Sequence, residues 1–284
     1  MERSVGRTRP LAGRAAWVTG GASGMGQATA LALAEMGADV AVGSLVESQR
    51  GAVLEGQNVH TPADSELEAT RVAIERHDVR GLALSLDVCS NELVRASFAA
   101  ITEAFGKIDI LVNAAGSSTR CFMKNHRDDL WHRMIDLNLT GPYRTIKLCL
   151  PGMIERRWGR IVNFASTAAN VGYPMHSGYC AAKSGLLGLT RCVALEGAPF
   201  GVTCNAVDPG FVDTKAAYTA QIQEIAVQGL DLTVDEFRAR IIESIPQKRF
   251  LQPKEVAALA AFLCREEAFG IAGEDITMAM GSHW

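Results

Sequence analysis

Thr19-Gly20-Gly21-Ala22-Ser23-Gly24-Met25-Gly26 follows a short apolar run, Ala15 to Thr19, and leads into an amphipathic stretch that stops near Gly37. A strand, a glycine turn and a helix make the first half of a βαβ unit. The glycines have separate jobs. Some allow backbone angles that other residues avoid. Others let a pyrophosphate approach the main chain at the helix amino end, whose free N–H groups favour anions. The spacing is TGxxxGxG rather than GxGxxG, and a glycine cluster alone also marks a plain strand–helix turn. Gly20, Ser23, Gly24, Met25 and Gly26 are therefore candidate cofactor-binding residues whose reading depends on the rest of the chain.

Outward from that turn, the pattern repeats. Apolar runs at Asp39 to Gly43, Leu82 to Leu86, Ile108 to Asn113, Arg160 to Ala165, Val202 to Val207 and Asp275 to Met278 alternate with helical stretches. This predicts a doubly wound α/β fold, a seven-stranded parallel sheet with helices on both faces. Predicted helices open at Gly24, cover Asn91 to Phe105, run from about Leu137 to Arg157 with Gly141-Pro142 in the first turn, span Ser177 to Glu196, and end with Pro253 to Cys264. Two regions break the rhythm. Ser44 to Ser65 is longer than a strand-to-helix connection needs. Asp213 to Ile245 is a helical excursion after a strand end, where such sheets build substrate sites.

Length and composition set the frame. The 284 residues suffice for one large α/β domain, expected from Leu11 to Trp284 behind a flexible tail of residues 1–10. A net charge of −3 gives no sign of nucleic acid or an anionic membrane as partner, and no eighteen-residue apolar stretch is present. The seven cysteines are scattered and unpaired in pattern, so most are expected to be buried in a reducing, cytoplasmic setting, with no metal site.

The chemistry sits at strand ends. Asn113-Ala114-Ala115-Gly116 ends the fourth strand, Asn138 lies near the start of a long helix, and Ser166 follows the fifth strand. Tyr179 and Lys183 are four apart and share one helical face. An ammonium beside a phenol favours the phenolate, so Lys183 is expected to draw the Tyr179 pKa toward neutrality. A tyrosine so tuned can exchange a proton with an alcohol or carbonyl, and Ser166 can donate to the developing oxyanion. An isolated Tyr–Lys pair would be an accident of an amphipathic helix. All the pieces in order, on one sheet edge, are not.

TGxxxGxG, NAAG, Asn138, Ser166 and Tyr179-Cys180-Ala181-Ala182-Lys183, in this order, resemble the short-chain dehydrogenase/reductase family with its Rossmann fold. The resemblance covers nearly the whole chain, Leu11 to Gly281. It implies an NAD(P)-dependent oxidoreductase in which Tyr179 is the general acid/base, Lys183 lowers its pKa and holds the nicotinamide ribose, Ser166 orients the carbonyl, and Asn138 holds a water in a proton relay. It implies that Asp87 and Val88 meet the adenine, that Asn113, Ala114, Ala115 and Gly116 line the cofactor, and that Pro209, Gly210, Val212 and Thr214 lie on the nicotinamide side. It also implies a homo-oligomer, dimer or tetramer, paired through the two long helices.

Departures from the family pattern matter. Ser44 stands where NAD-preferring members usually carry an acid, with Leu45 next. No carboxylate there would repel a 2′-phosphate, which leans toward NADP, although both cofactors could bind. The insert Gly51 to Ser65 reads as a surface loop, as a clamp on the adenosine end, or as an extension of an interface. The carboxyl end, Met280 to Trp284, lacks the usual Gly-Gly, and Trp284 reads either as an interface residue or as a frayed end. Ser117, Arg120, Thr167, His176 and Phe211 are candidate substrate contacts, under a lid at about 213–245. The apolar residues of that lid, Ala216, Ala217, Ile222, Ile225, Leu230 and Phe237, fit a hydrophobic cover or, more simply, core packing. The favoured substrate is a small, largely apolar ketone or secondary alcohol. A 3-oxoacyl thioester and a non-catalytic, cofactor-sensing role are the alternatives.

Overall fold

The structure, a computed structural model, describes residues 9–58 and 60–282. Seven strands, β1 (Ala15–Thr19), β2 (Asp39–Ser44), β3 (Gly81–Ser85), β4 (Ile110–Asn113), β5 (Gly159–Phe164), β6 (Val202–Pro209) and β7 (Asp275–Met278), form one sheet in the order β3-β2-β1-β4-β5-β6-β7. All its pairings are parallel. The order reverses between β1 and β4, and that crevice is where doubly wound sheets bind ligands. The helices are α1 (Gly24–Glu35), α2 (Asp64–Glu75), α3 (Asn91–Phe105), α4 (Asp128–Ile135), α5 (Gly141–Glu155), α6 (Ser177–Gly197), α7 (Lys215–Gln228), α8 (Val234–Ser244) and α9 (Pro253–Leu263).

Strand side chains alternate faces, and the core divides accordingly. Val18, Val40, Val42, Ile110, Val112 and Val162 pack with Ala30 and Leu33 of α1, Ile74 of α2 and Val256 of α9. Trp17, Ala41, Leu111 and Ile161 pack on the other face with Ile101 of α3, Met153 of α5 and Val193 of α6. Because β1 and β4 are buried along their whole length, the sheet is rigid where the glycine turn leaves it. The sequence-based strand positions hold to within about two residues, and β1 and β7 match at both ends.

Several expectations change. The long helix does not start at Leu137. It begins as α4, passes through a π turn at Asp136–Thr140 and continues as α5. Pro142 therefore lies inside the run, not in its first turn. A proline has no N–H for the carbonyl four residues back, and the wider turn absorbs the misfit. Of the seven cysteines, all free, only Cys149, Cys204 and Cys264 are buried, so most do not serve as core residues. Helices α7 and α8 bury only Ala220 and Gln221, so the six apolar lid residues are not core. Ala216 lines the cleft, and Ile222 is exposed. The carboxyl-terminal Trp284 and residues 1–8 of the tail fall outside the described residues. Arg9, within the expected tail, donates from Nη2 to the His77 carbonyl at 2.7 Å. Among the described residues, no helix is long and apolar enough to cross a membrane.

Candidate active site

A cleft of about 1210 Å³ opens at the carboxyl edge of β1, β2 and β4. Gly20, Ser23, Gly24, Met25 and Gly26 form one wall, Ser44 and Leu45 the far end, and Asp87, Val88, Ala114, Ala115, Gly116 and Ser117 the floor. Gly20 (φ 68°) and Gly24 (φ 54°) take left-handed angles that non-glycine residues adopt at a cost. A Cβ at Gly26 would come within 2.2 Å of the Gly20 carbonyl oxygen. Only glycine lets the turn close so tightly, which leaves the α1 amino end open to an anion. The donors of that turn, the long cleft and the polar far end fit a dinucleotide.

The expected cofactor residues do not all reach this cleft. Thr214 lines it and caps α7, its Oγ1 accepting from the Ala217 N–H at 3.0 Å. Pro209, Gly210 and Val212 are not among the lining residues. Asn113 is spent on structure. Its amide donates to Asn163 Oδ1 at 2.8 Å, and its Oδ1 accepts from Thr145 Oγ1 at 2.6 Å. Asn113 is buried and is not among the lining residues, and these bonds tie strands β4 and β5 together.

The insert after β2 is not a plain surface loop. Residues Arg50 to Leu54, Gln57, Asn58 and His60 to Pro62 line the cleft. Asn58 is 6% exposed. Its N–H donates to the Ser118 carbonyl at 3.0 Å, and its Nδ2 donates to the Ala216 carbonyl at 3.1 Å. The insert thus crosses from β2 to the lid. Nothing in the local sequence announces this, because every partner is distant along the chain.

The catalytic candidates gather at the inner end. Ser166 ends the turn after β5, and its Oγ accepts from the Ala168 N–H at 3.1 Å. Lys183 Nζ lies 5.7 Å from the centre of the Tyr179 ring and donates to the Phe164 carbonyl at 2.6 Å. Asn138 is fully buried. Its Nδ2 donates to the Ser117 carbonyl at 2.9 Å and the Met134 carbonyl at 3.1 Å, and its Oδ1 accepts from the Ser117 N–H at 3.3 Å. A Cβ on Gly116 would lie 2.9 Å from Asn138 Oδ1 and 3.5 Å from Lys183 Nζ, so both groups flank one glycine. The structure brings Asn138, Ser166, Tyr179 and Lys183 together beside the cleft.

The electrostatics differ from expectation. Burial raises the Tyr179 phenol above its usual range, and the Ser166 hydroxyl and the nearby Arg120 charge only partly oppose it. The Lys183 ammonium donates to the Phe164 carbonyl and lies 5.7 Å from the Tyr179 ring centre. Burial lowers Lys183 to about 8, opposed by Asp208.

The substrate candidates separate. His176 stacks edge-on against Tyr179 at 6.3 Å, and burial lowers its pKa. Arg120 is nearly buried and pairs from Nε with Glu224 of α7 at 2.9 Å. Thr167 is buried, and Ser117 is bonded to the Asn58 carbonyl. Phe211 is 41% exposed and packs on Phe250 at 6.1 Å. Sequence reasoning missed Arg133, which lines the cleft and pairs with Asp87 at 3.5 Å, and Asp208, whose only local signal is its place before Pro209-Gly210.

A family model of the short-chain alcohol dehydrogenase type, described as enoyl-(acyl carrier protein) reductase, matches residues 20–283. The chain belongs to the short-chain dehydrogenase/reductase family. It is 33% identical over 275 residues to the 3-oxoacyl-(acyl-carrier-protein) reductase FabG of Vibrio harveyi, covering 96% of this chain and 98% of that one. It is 34% identical to the uncharacterized oxidoreductase YxjF of Bacillus subtilis, covering 94% and 96%. Among solved structures, a carveol dehydrogenase from Mycobacterium avium in complex with NAD superposes with a TM-score of 0.88 at 27% identity, covering 96% and 98%. An actinorhodin polyketide ketoreductase variant with NADPH gives 0.85 at 31%, covering 95% and 98%. As a short-chain dehydrogenase/reductase, the chain is an NAD(P)-dependent oxidoreductase acting on alcohol and ketone groups.

Proposed function

We propose that this short-chain dehydrogenase/reductase interconverts a ketone and a secondary alcohol on a small, largely apolar molecule, with Tyr179 as general acid/base. The observation that carries the reading is the meeting of Tyr179, Ser166, Lys183 and Asn138 beside the dinucleotide cleft. A bound nicotinamide supplies or accepts the hydride at the carbonyl carbon. In reduction, the Tyr179 hydroxyl gives its proton to the carbonyl oxygen, and in oxidation it takes that proton back. Ser166 Oγ–H donates to the same oxygen and steadies its growing charge. Lys183 keeps N–H donors beyond the one used on Phe164, suited to ribose hydroxyls. The Asn138 amide is spent on Ser117 and Met134, so the relay water falls to its main-chain carbonyl. The ordinary helical donor to that carbonyl would be Pro142, which has none.

The exposed Arg50 lines the cleft with Ser44 and His60 and supports a preference for NADP. Tyr143 of α5 and Leu195 of α6 are 45% and 78% exposed, which supports pairing of two copies through those helices into a dimer or tetramer. The absence of a spanning helix among the described residues is consistent with a cytoplasmic enzyme.

The test follows NADPH and NADH oxidation separately against cyclic, aromatic and aliphatic ketones and a short 3-oxoacyl thioester. A ketone is expected to turn over, and Tyr179→Phe to lower kcat by at least about a hundredfold while cofactor still binds. Turnover of the thioester alone would favour the second reading, which the likeness to FabG supports. Cofactor binding without any turnover would point to a sensor.

A further inference from the structure

Asp208 has no solvent exposure. Its Oδ2 accepts from Asn170 Nδ2 at 2.8 Å, and its buried Oδ1 has no hydrogen-bond partner among the described residues. A lone buried carboxylate is costly unless a cation faces it. Register says which cation is near. Val207 pairs with Phe164 across β5 and β6, and the Phe164 carbonyl holds Lys183 Nζ. Asp208 is the next residue along β6, and α6 packs against that strand.

We propose that Asp208 is the counter-ion of Lys183, a positioning residue that keeps the ammonium charged and, through Asn170, ties it to the turn carrying Ser166. This rests on the catalytic reading above. The charges agree with the geometry. Burial pushes Asp208 up to about 6, with Asp275 of β7 adding to the rise, while Asn170, Lys183 and Arg191 of α6 oppose it. Burial brings Lys183 down to about 8 against the pull of Asp208. Between those values both groups are charged. Asp275 is itself bound by Arg191 at 3.1 Å. Asp208 also raises Tyr179, so removing its charge shifts the phenol and the ammonium in the same direction, downward.

Asp208→Asn removes the charge and leaves an oxygen for Asn170. Asp208→Ala removes both and serves where the first variant does not fold. The kcat–pH profile of each is compared with wild type on a ketone that turns over, with folding checked by circular dichroism and cofactor binding. The expected result is an alkaline limb displaced about one unit to lower pH, so that the loss grows with pH to about tenfold. Below about 6, where Asp208 itself protonates, the loss is small. A limb that stays in place in a folded variant, or an equal loss at every pH, would overturn the proposal. If Tyr179→Phe and Lys183→Ala keep full activity, the catalytic reading has failed instead.

Discussion

Ser44 ends β2 nearly buried, with the exposed Arg50 further along the same cleft wall. A carboxylate here would bond ribose hydroxyls and repel a 2′-phosphate. Ser44→Asp is expected to lower the NADPH-to-NADH ratio of kcat/KM by at least about tenfold, a like-charge cost of about 1.4 kcal/mol. An unchanged ratio would move cofactor selection to Arg50 and the insert. The same scale shows the limits of motif reading. Asn113 and Tyr179 both stand where the motifs put them. Yet Asn113 is buried behind the cleft with bonds to Thr145 and Asn163, and the Tyr179 pKa rises with burial. Hydrogen-bond partners and desolvation come from residues far along the chain, so spacing cannot report them.

Helix α7 is held by polar contacts because it buries so little. Arg120 pairs with Glu224, Lys215 reaches Glu66 at 2.6 Å, Asn58 bonds the Ala216 carbonyl, and Gln223 bonds the Gln57 carbonyl at 3.4 Å. The Arg120–Glu224 pair is far more shielded than the Lys215–Glu66 pair and links the loop after β4 to the lid. Arg120→Met is expected to loosen α7 locally by about 1–2 kcal/mol, or roughly five- to thirtyfold in opening. Limited proteolysis between residues 213 and 245 and hydrogen exchange of α7 read this directly, while the thermal midpoint of the sheet moves little. If cleavage does not quicken, the insert holds α7 without help from Arg120. The π turn at Asp136–Thr140 belongs to this scale too. By sequence Pro142 falls in the first turn of a helix, and only α4 ahead of it shows an interruption instead of a start.

Across the whole molecule, a ligand spanning the cleft touches both halves of the sheet, from Ser44 of β2 to Gly116 after β4. Cofactor at a hundred times its Kd is expected to stabilise the fold by about 2.7 kcal/mol, or roughly 5–10 °C in Tm for a chain of this size. A thermal scan with each dinucleotide measures it, and no shift with either would overturn the cleft assignment. The sequence by itself determined the doubly wound sheet, because alternating apolar runs and glycine stops are local signals that survive any packing. It also determined which residues stand at the catalytic strand ends, because turn chemistry and helical spacing are set within a few residues. The tertiary structure alone decided what each of those residues faces. The Asn58 bridge, the Arg120 clasp, the pull of the Asp208 charge on Lys183 and the raised Tyr179 phenol depend on burial and on partners distant along the chain. Desolvation and Coulomb energy follow distance in space, and distance in space is what folding supplies.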